Sequence, residues 1–335
     1  MMKKVYFLLP LLAILLLMHQ SCRKDDSLGV EVVPPRDRGE EALAAQAEIE
    51  EYLSTHFYNY EEFENPPADF DYRIQFDTIA GDNASKTPLI DQVSSKIAKD
   101  RAELGVVTYK LYYLHVRQGG GDLLKFPDIA TMSYEGRLLN NEIFDSSVIP
   151  VRFDLTGVIN GLQDGMKGFR GASSFTENGD GTISFENYGI GAVFVPSGLG
   201  YFVNPPNGSD IPLYAQMIFT FQLFQVEVGD QDNDGVISLL EDLNNNQIEE
   251  DDDTDENFIP NFVDGDDDGD GRPTRDETEL NEHVINIGDP DPEYGVDEVE
   301  MYRVTDEEEG TITIHTIFLF DSNNDGIPDY LDEEN

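Results

Sequence analysis

The chain has 335 residues, with 21 Lys and Arg against 68 Asp and Glu, for a formal net charge of −47. That imbalance opposes binding to nucleic acid or to an anionic membrane surface. An apolar fraction of 39% suffices for one substantial core, and the single cysteine, Cys22, excludes a disulfide within the chain.

Residues 1–21 have the layout of a secretory signal: Lys3 and Lys4, the apolar run Val5 to Met18, then small Ser21 before Cys22. The run is too short to span a bilayer comfortably, and Cys22 stands where a lipoprotein signal peptidase would cut and leave a lipidated N-terminus. One departure is His19, three positions before the cysteine, where such signals usually carry Leu. Residues 22–40 read as a tether, with Pro34 and Pro35 and no apolar period. Its start, Arg23, Lys24, Asp25 and Asp26, resembles the export signal of surface lipoproteins in the Bacteroidetes, and reads equally well as a solvated charged segment. The expectation is a protein of the cell envelope, held to the outer membrane by an N-terminal lipid, on its periplasmic face or at the cell surface.

Residues 41–104 are expected to hold one helix and an irregular extension. Ala42, Ala45, Ile49, Leu53 and Phe57 recur at helical spacing and predict a helix over Glu41 to Phe57, packed on the next domain. Asn59 to Asp100 carries Pro, Asp and Asn without a usable pattern. Strands are predicted at Thr108 to Arg117, ended by Gly119 to Gly121, and at Ile129 to Leu139, with a turn at Asn140-Asn141 before Ile143 and Phe144. Val158, Ile159, Leu162 and Met166 share one face of a short helix, and strands resume at Ala192 to Val195 and Ala215 to Val228. The result is an α+β domain over residues 105–229, an antiparallel sheet with one short helix against it.

The ordered blocks in this region are Ser133-Tyr134-Glu135-Gly136-Arg137-Leu138, Phe144-Asp145-Ser146-Ser147, Phe153-Asp154-Leu155, and Val158-Ile159-Asn160-Gly161-Leu162-Gln163-Asp164-Gly165-Met166. They continue as Val195-Pro196-Ser197-Gly198-Leu199-Gly200-Tyr201, Ile211-Pro212 and Phe219-Thr220-Phe221-Gln222-Leu223. In order and spacing they resemble the FKBP family of peptidyl-prolyl cis-trans isomerases, or rotamases, over roughly Gly121 to Val228. The resemblance implies an antiparallel half-barrel wrapped on its short helix, with an apolar pocket that grips a proline ring and needs no catalytic cofactor. It places Tyr134, Phe144, Asp145, Val158, Ile159, Leu162, Tyr201, Ile211 and Phe219 in the pocket. Tyr201 would donate its hydroxyl to the substrate carbonyl before the rotating amide, the Ile159 N–H would fix a neighbouring carbonyl, and Asp145 would orient Tyr134. Two departures weaken it: Leu162 stands where the family usually has a tryptophan floor, and Val151 where it has a wall phenylalanine. The segment Ser173 to Gly191 is an insertion with a hairpin signal at Asn178-Gly179-Asp180-Gly181, either a lip that selects substrates or a surface hairpin without a role.

Residues 230–335 carry 37 acidic residues against three arginines. Asp230, Asp232, Asp234, Gly235, Ser238 and Glu241 fit positions 1, 3, 5, 6, 9 and 12 of a calcium loop. The same positions are filled by Asp266, Asp268, Asp270, Gly271, Thr274 and Glu277, and by Asp321, Asn323, Asp325, Gly326, Asp329 and Asp332. Weaker matches run from Asp242 and Asp253, with Gln247 and Phe258 where glycine is wanted. Ca²⁺ takes six to eight hard oxygens, which alternate side chains supply. The first loop follows a strand, and Pro260, Pro273 and Pro328 lie inside loops, so the segment resembles thrombospondin type 3 repeats more than helix-loop-helix hands. An irregular, calcium-binding tail with structural Ca²⁺ is the expectation; an acidic disordered stalk is the alternative. Thr311 to Phe320 alternates and predicts one strand between loops.

The leading functional reading is an isomerase acting on proline-containing exported proteins during folding. The competing one is a calcium-stabilised surface lipoprotein whose FKBP-like domain only binds or chaperones. A metal-dependent hydrolase has little support, because His19, His56, His115, His283 and His315 form no ligand pair.

Overall fold

The computed structural model describes residues 34–101 and 107–334. The expected signal peptide, the expected lipidation site Cys22 and residues 22–33 of the expected tether lie outside the described residues. Residues 37–335 form one compact unit, and among the described residues no helix is long and apolar enough to cross a membrane.

Helix α1, Arg38–Thr55, begins at Asp37, whose side chain accepts from the Glu40 N–H at 2.9 Å, satisfying one of the orphan donors of a first turn. Its inward face is Glu41, Ala45, Ile49, Tyr52 and Leu53, near the predicted stripe. The helix stops before Phe57, which belongs to the short strand β1, His56–Tyr58; β1 pairs with β2, Phe76–Thr78, and α2, Tyr60–Glu64, lies between them.

The central sheet has six antiparallel strands in the order β3 (Ser94–Lys99), β4 (Thr108–Arg117), β9 (Gly189–Val195), β10 (Met217–Glu227), β5 (Ile129–Leu138) and β6 (Ile143–Asp154). Period-two alternation gives it two buried faces. Leu111, Val193, Val195, Met217, Phe219, Phe221 and Met132 face helix α3, Asn160–Met166. Tyr112, Leu114, Ile190, Ala192, Phe194 and Ile218 face α1 and the segment after it, packing on Ile49, Tyr52, Leu53, Ile74 and Leu89. All seven residues of β9 are buried for this reason.

Two expectations about the N-terminal part change here. Residues 59–100 are not a wholly irregular connection, since they contain α2, β2 and the edge strand β3. A domain boundary near residue 104 therefore cuts through one sheet. The predicted helix also begins later than expected: Val158 and Ile159 precede α3 in extended conformation.

Glycines set how closely α3 lies on β9. A Cβ on Gly161 would sit 2.4 Å from Val195 Cγ1, and one on Gly165 would sit 2.3 Å from Val193 Cγ1. The C-terminal end of α3 is closed by Lys96 of β3, whose Nζ donates to Asp164 O at 2.6 Å, a cation on the last carbonyls. The insertion forms the exposed hairpin β7 (Ser174–Glu177) and β8 (Ile183–Glu186), with Phe185 stacked on Phe224 at 4.7 Å.

The tail is not the irregular string expected. It contains an antiparallel sheet in the order β11 (Thr278–Asn286), β13 (Thr311–Leu319), β12 (Glu298–Asp306), of which only β13 was predicted. Its core joins Met301 and Ile317 to Val236 and Ile237 from the first acidic loop and Tyr330 from the last. Gln231 donates to Pro127 O at 2.8 Å, and Gln163 of α3 donates to Glu249 Oε1 at 2.8 Å, fastening the tail to the six-stranded sheet and its helix.

Candidate active site

Between α3 and the β5–β6 side of the sheet lies a cavity of about 440 Å³, within the range of small-ligand pockets. Seven of the nine residues expected there line it: Tyr134, Asp145, Val158, Ile159, Leu162, Tyr201 and Phe219. Met132, Phe153, Gly157, Asn160 and Gly200 complete the wall. Phe153 is the informative omission, because it follows Val151 by one strand period. The expectation that residue 151 holds the wall position does not survive: Val151 is 36% exposed and does not line the cavity. The wall aromatic is Phe153, with its ring edge-on to Tyr134 at 5.2 Å.

Phe144 and Ile211 are also displaced from their expected places. Ile211 belongs to the main core beside the cavity. Phe144 packs edge-on against Phe219 at 5.6 Å and supports that ring from behind. A bulge lies here: Gly136 pairs with Asp145 and Arg137 with Ile143, leaving Phe144 unpaired. A Cβ on Gly136 would come within 2.7 Å of the Phe144 ring and 3.0 Å of Phe219, so only glycine admits both.

The polar groups gather at the mouth. Tyr134 Oη donates to Asp145 Oδ2 at 2.7 Å. Burial, and then this bond to a carboxylate, push the Tyr134 hydroxyl up to about 12. The Tyr201 hydroxyl is raised by burial and by the nearby Asp145 charge. Leu162, 6% exposed, is the aliphatic floor. No residue of 173–191 lines the cavity.

The acidic loops share a local geometry. At position 6, Gly235, Gln247, Phe258, Gly271 and Gly326 all have φ between 64° and 104°, so the two weaker matches adopt the same turn, with the strain a side chain incurs there. In four of the five loops position 9 clasps position 2. Ser238 Oγ donates to Gln231 Oε1, Asn261 Nδ2 to Thr254 Oγ1 at 2.8 Å, Thr274 Oγ1 to Asp267 Oδ2 at 3.2 Å, and Ser322 Oγ to Asp329 Oδ2 at 2.6 Å.

Carboxylates converge within 4.8 Å in the groups Asp230–Asp232–Asp234 and Asp266–Asp268–Asp270. Asp230 Oδ1, Asp232 Oδ2, Asp234 Oδ2, both Glu241 oxygens, Asp268 Oδ2 and Glu277 Oε2 are buried without a hydrogen-bond partner. Burial, followed by neighbouring carboxylates, pushes Asp232 and Glu277 up to about 7 and Glu241 to about 10. Such a set is costly unless a cation supplies the missing charge. In the last loop Asp321 accepts from the Asp325 and Gly326 N–H groups, and Asn323 Nδ2 donates to Asp332 Oδ2 at 2.8 Å. That loop is already satisfied internally, and it is not among the convergent carboxylate groups of the described residues.

The order of blocks, the cavity and its helix decide the class of the middle segment, and residues 124–224 match the family model for FKBP-type peptidyl-prolyl cis-trans isomerase. This segment is an FKBP-type isomerase domain. A curated relative is the probable FKBP-type peptidyl-prolyl cis-trans isomerase FkpA of Neisseria meningitidis serogroup B, 32% identical over 126 residues, 37% of this chain and 39% of that protein. The chain thus spans about two fifths of that relative's length. Among solved structures, a peptidyl-prolyl isomerase from Pseudomonas syringae pv. tomato is 19% identical over 35% of this chain and 75% of its own, with a TM-score of 0.28. FkpA from Escherichia coli is 20% identical over 56% and 62% of the two chains, with a TM-score of 0.31. Beyond the isomerase domain, residues 231–297 match the family model described as BamM C-terminal.

Proposed function

We propose that the chain is a peptidyl-prolyl isomerase that assists folding of proline-containing exported proteins, working from a lipid anchor at Cys22 in the outer membrane. The observation that carries this reading is the cavity itself, apolar on floor and walls, with Asp145 and Tyr201 at one mouth. An X-Pro amide must lose its resonance to rotate, a barrier of about 18–20 kcal/mol. A pocket that holds the twisted amide better than either planar form lowers that barrier. Phe219, Phe153 and Leu162 would hold the proline ring. Tyr201 Oη would donate to the preceding carbonyl and the Ile159 N–H to its neighbour, while Asp145 keeps Tyr134 in place. Leu162 offers less contact area than an aromatic floor would, which predicts modest turnover.

The test is a proline-peptide isomerisation assay on the full chain. Tyr201→Phe combined with Asp145→Ala should lower kcat/KM at least tenfold. An unchanged rate removes this site assignment, and a parent chain with no isomerase activity leaves the binding or chaperone reading.

The acidic loops in this reading hold structural Ca²⁺. The buried, unpartnered carboxylate oxygens support it, since hard oxygens in this number match the cation's preference. Affinity is expected on the order of 10⁻⁴ to 10⁻³ M, as for extracellular modules. Chelation should enlarge the scattering radius; a radius that stays constant rejects the calcium reading. The location at the outer membrane rests on the leader and Cys22, and labelling with a radioactive fatty acid tests it.

A further inference from the structure

The loops at 230–241 and 266–277 meet at a point their own repeat does not account for. Asp267 stands at position 2, where the other clasped loops carry Gln231, Thr254 and Ser322, all neutral. Its Oδ2 takes part in the clasp with Thr274, but its Oδ1 is buried with no hydrogen-bond partner, and the residue is 1% exposed. Asp234 Oδ2 and both oxygens of Glu241 are likewise buried and unpartnered, in residues 5% and 2% exposed. Asp234, Glu241 and Asp267 each bring one carboxylate oxygen to within 4.8 Å of the others. Three buried carboxylates, each with at least one unpartnered oxygen, are thus brought to one point from two loops. They repel one another unless protons or a cation supply positive charge between them, and a divalent cation does so while keeping all three ionised.

We propose that one divalent cation is held jointly by Asp234, Glu241 and Asp267, so that an ion ties the loop leaving the isomerase domain to the loop entering the tail sheet. The proposal rests on the calcium reading of the loops and adds a ligand from outside the loop pattern. Its consequence follows from connectivity. Gln231 holds the first loop to Pro127 of the isomerase domain, and residue 277 leads directly into β11. The shared ion therefore fixes the tail sheet to the isomerase domain, where two separately filled loops would each stiffen only themselves. Tyr330 is 2% exposed and close enough for all three carboxylates to act on its hydroxyl, which supplies a local probe.

The experiment uses the full chain, titrated with CaCl₂ by calorimetry and with TbCl₃ by tyrosine-sensitised emission. Tyr330→Phe should remove the emission from the shared ion. Asp267→Asn should weaken one calcium event at least tenfold and abolish that same emission component. Asp267→Ser, which retains a hydroxyl at position 2 as a hydrogen-bonding partner for Thr274, should do the same, guarding against an effect of misfolding. Asp268→Asn, in the same loop but directed at its own group, should leave the component in place. If both Asp267 variants titrate like the parent, the shared ion is refuted while calcium binding by the loops stands. If the parent itself takes up no calcium at millimolar concentration, the loop reading fails, and the shared ion with it.

Discussion

The Tyr134 hydroxyl donates to the Asp145 carboxylate at 2.7 Å, joining β5 to the bulged strand β6 at the cavity mouth. The bond spans a short regular stretch of ladder that has a register shift on either side, between Met132 and Tyr134 and between Gly136 and Arg137. Tyr134→Phe removes the donor and leaves the ring. Isomerase kcat/KM should fall about tenfold, on the order of 1.4 kcal/mol in the barrier, with a far smaller change in melting temperature. An equal loss of stability and rate would mean that the bond is only structural.

Gly165 faces Val193 with no room for a methyl group. Gly165→Ala would push α3 off β9, and overpacking of this kind costs about 1–3 kcal/mol. Denaturant unfolding should report that loss. Because α3 carries Leu162, the cavity floor, peptide KM should rise in the same variant.

Arg101 reaches Glu249 at 3.2 Å and Glu250 at 3.0 Å, and also bonds Gln163 of α3. Glu249 is 2% exposed, and burial raises its pKa while Arg101 lowers it. Arg101→Ala strands that carboxylate and should destabilise the chain by about 3–5 kcal/mol. Adding Glu249→Gln should restore part of the loss, a coupling that a double-mutant cycle measures.

Glu298 accepts from Thr316 Oγ1 at 2.6 Å, from Gly295 N–H at 2.6 Å and from Asn281 Nδ2 at 2.9 Å, and lies 2.6 Å from His283 Nε2. The Thr316 hydroxyl first, then the other donors, hold its carboxyl down at about 2. A depressed carboxylate stabilises the fold above its unfolded value, near 4.5, and loses that contribution as pH falls toward 2. Glu298→Gln should therefore lower tail-sheet stability at pH 6 and 7, and its difference from the parent should shrink between pH 4.5 and 2. A difference independent of pH would rule out the carboxylate as its source.

Much of the architecture was readable from order and period. The helical stripe Ala45, Ile49, Leu53 and the alternation of β4, β5 and β10 have buried faces that are apolar, so their pattern announces them. Strands β3 and β11 escaped because their polarity is inverted. In β3, Ile97 is 68% exposed while Lys96 turns inward to cap α3. In β11, Leu280 and Val284 face out while Asn281 and His283 turn toward Glu298. A strand whose inner face is hydrogen-bonded carries no apolar period to detect.

By itself the sequence determined which residue types gather in the middle third, in what order, and where carboxylates recur at loop spacing. Both are local properties of the chain, written in neighbouring positions. Only the tertiary structure decided that Phe153 and not residue 151 forms the wall, that Phe144 stands behind Phe219, and that Asp267 reaches Asp234 and Glu241. Which of two residues one strand period apart meets the cavity depends on where the helix and the neighbouring strands lie. A bulge breaks the regular alternation, and a contact between loops depends on how the intervening chain packs. None of these leaves a mark in the spacing of the residues involved.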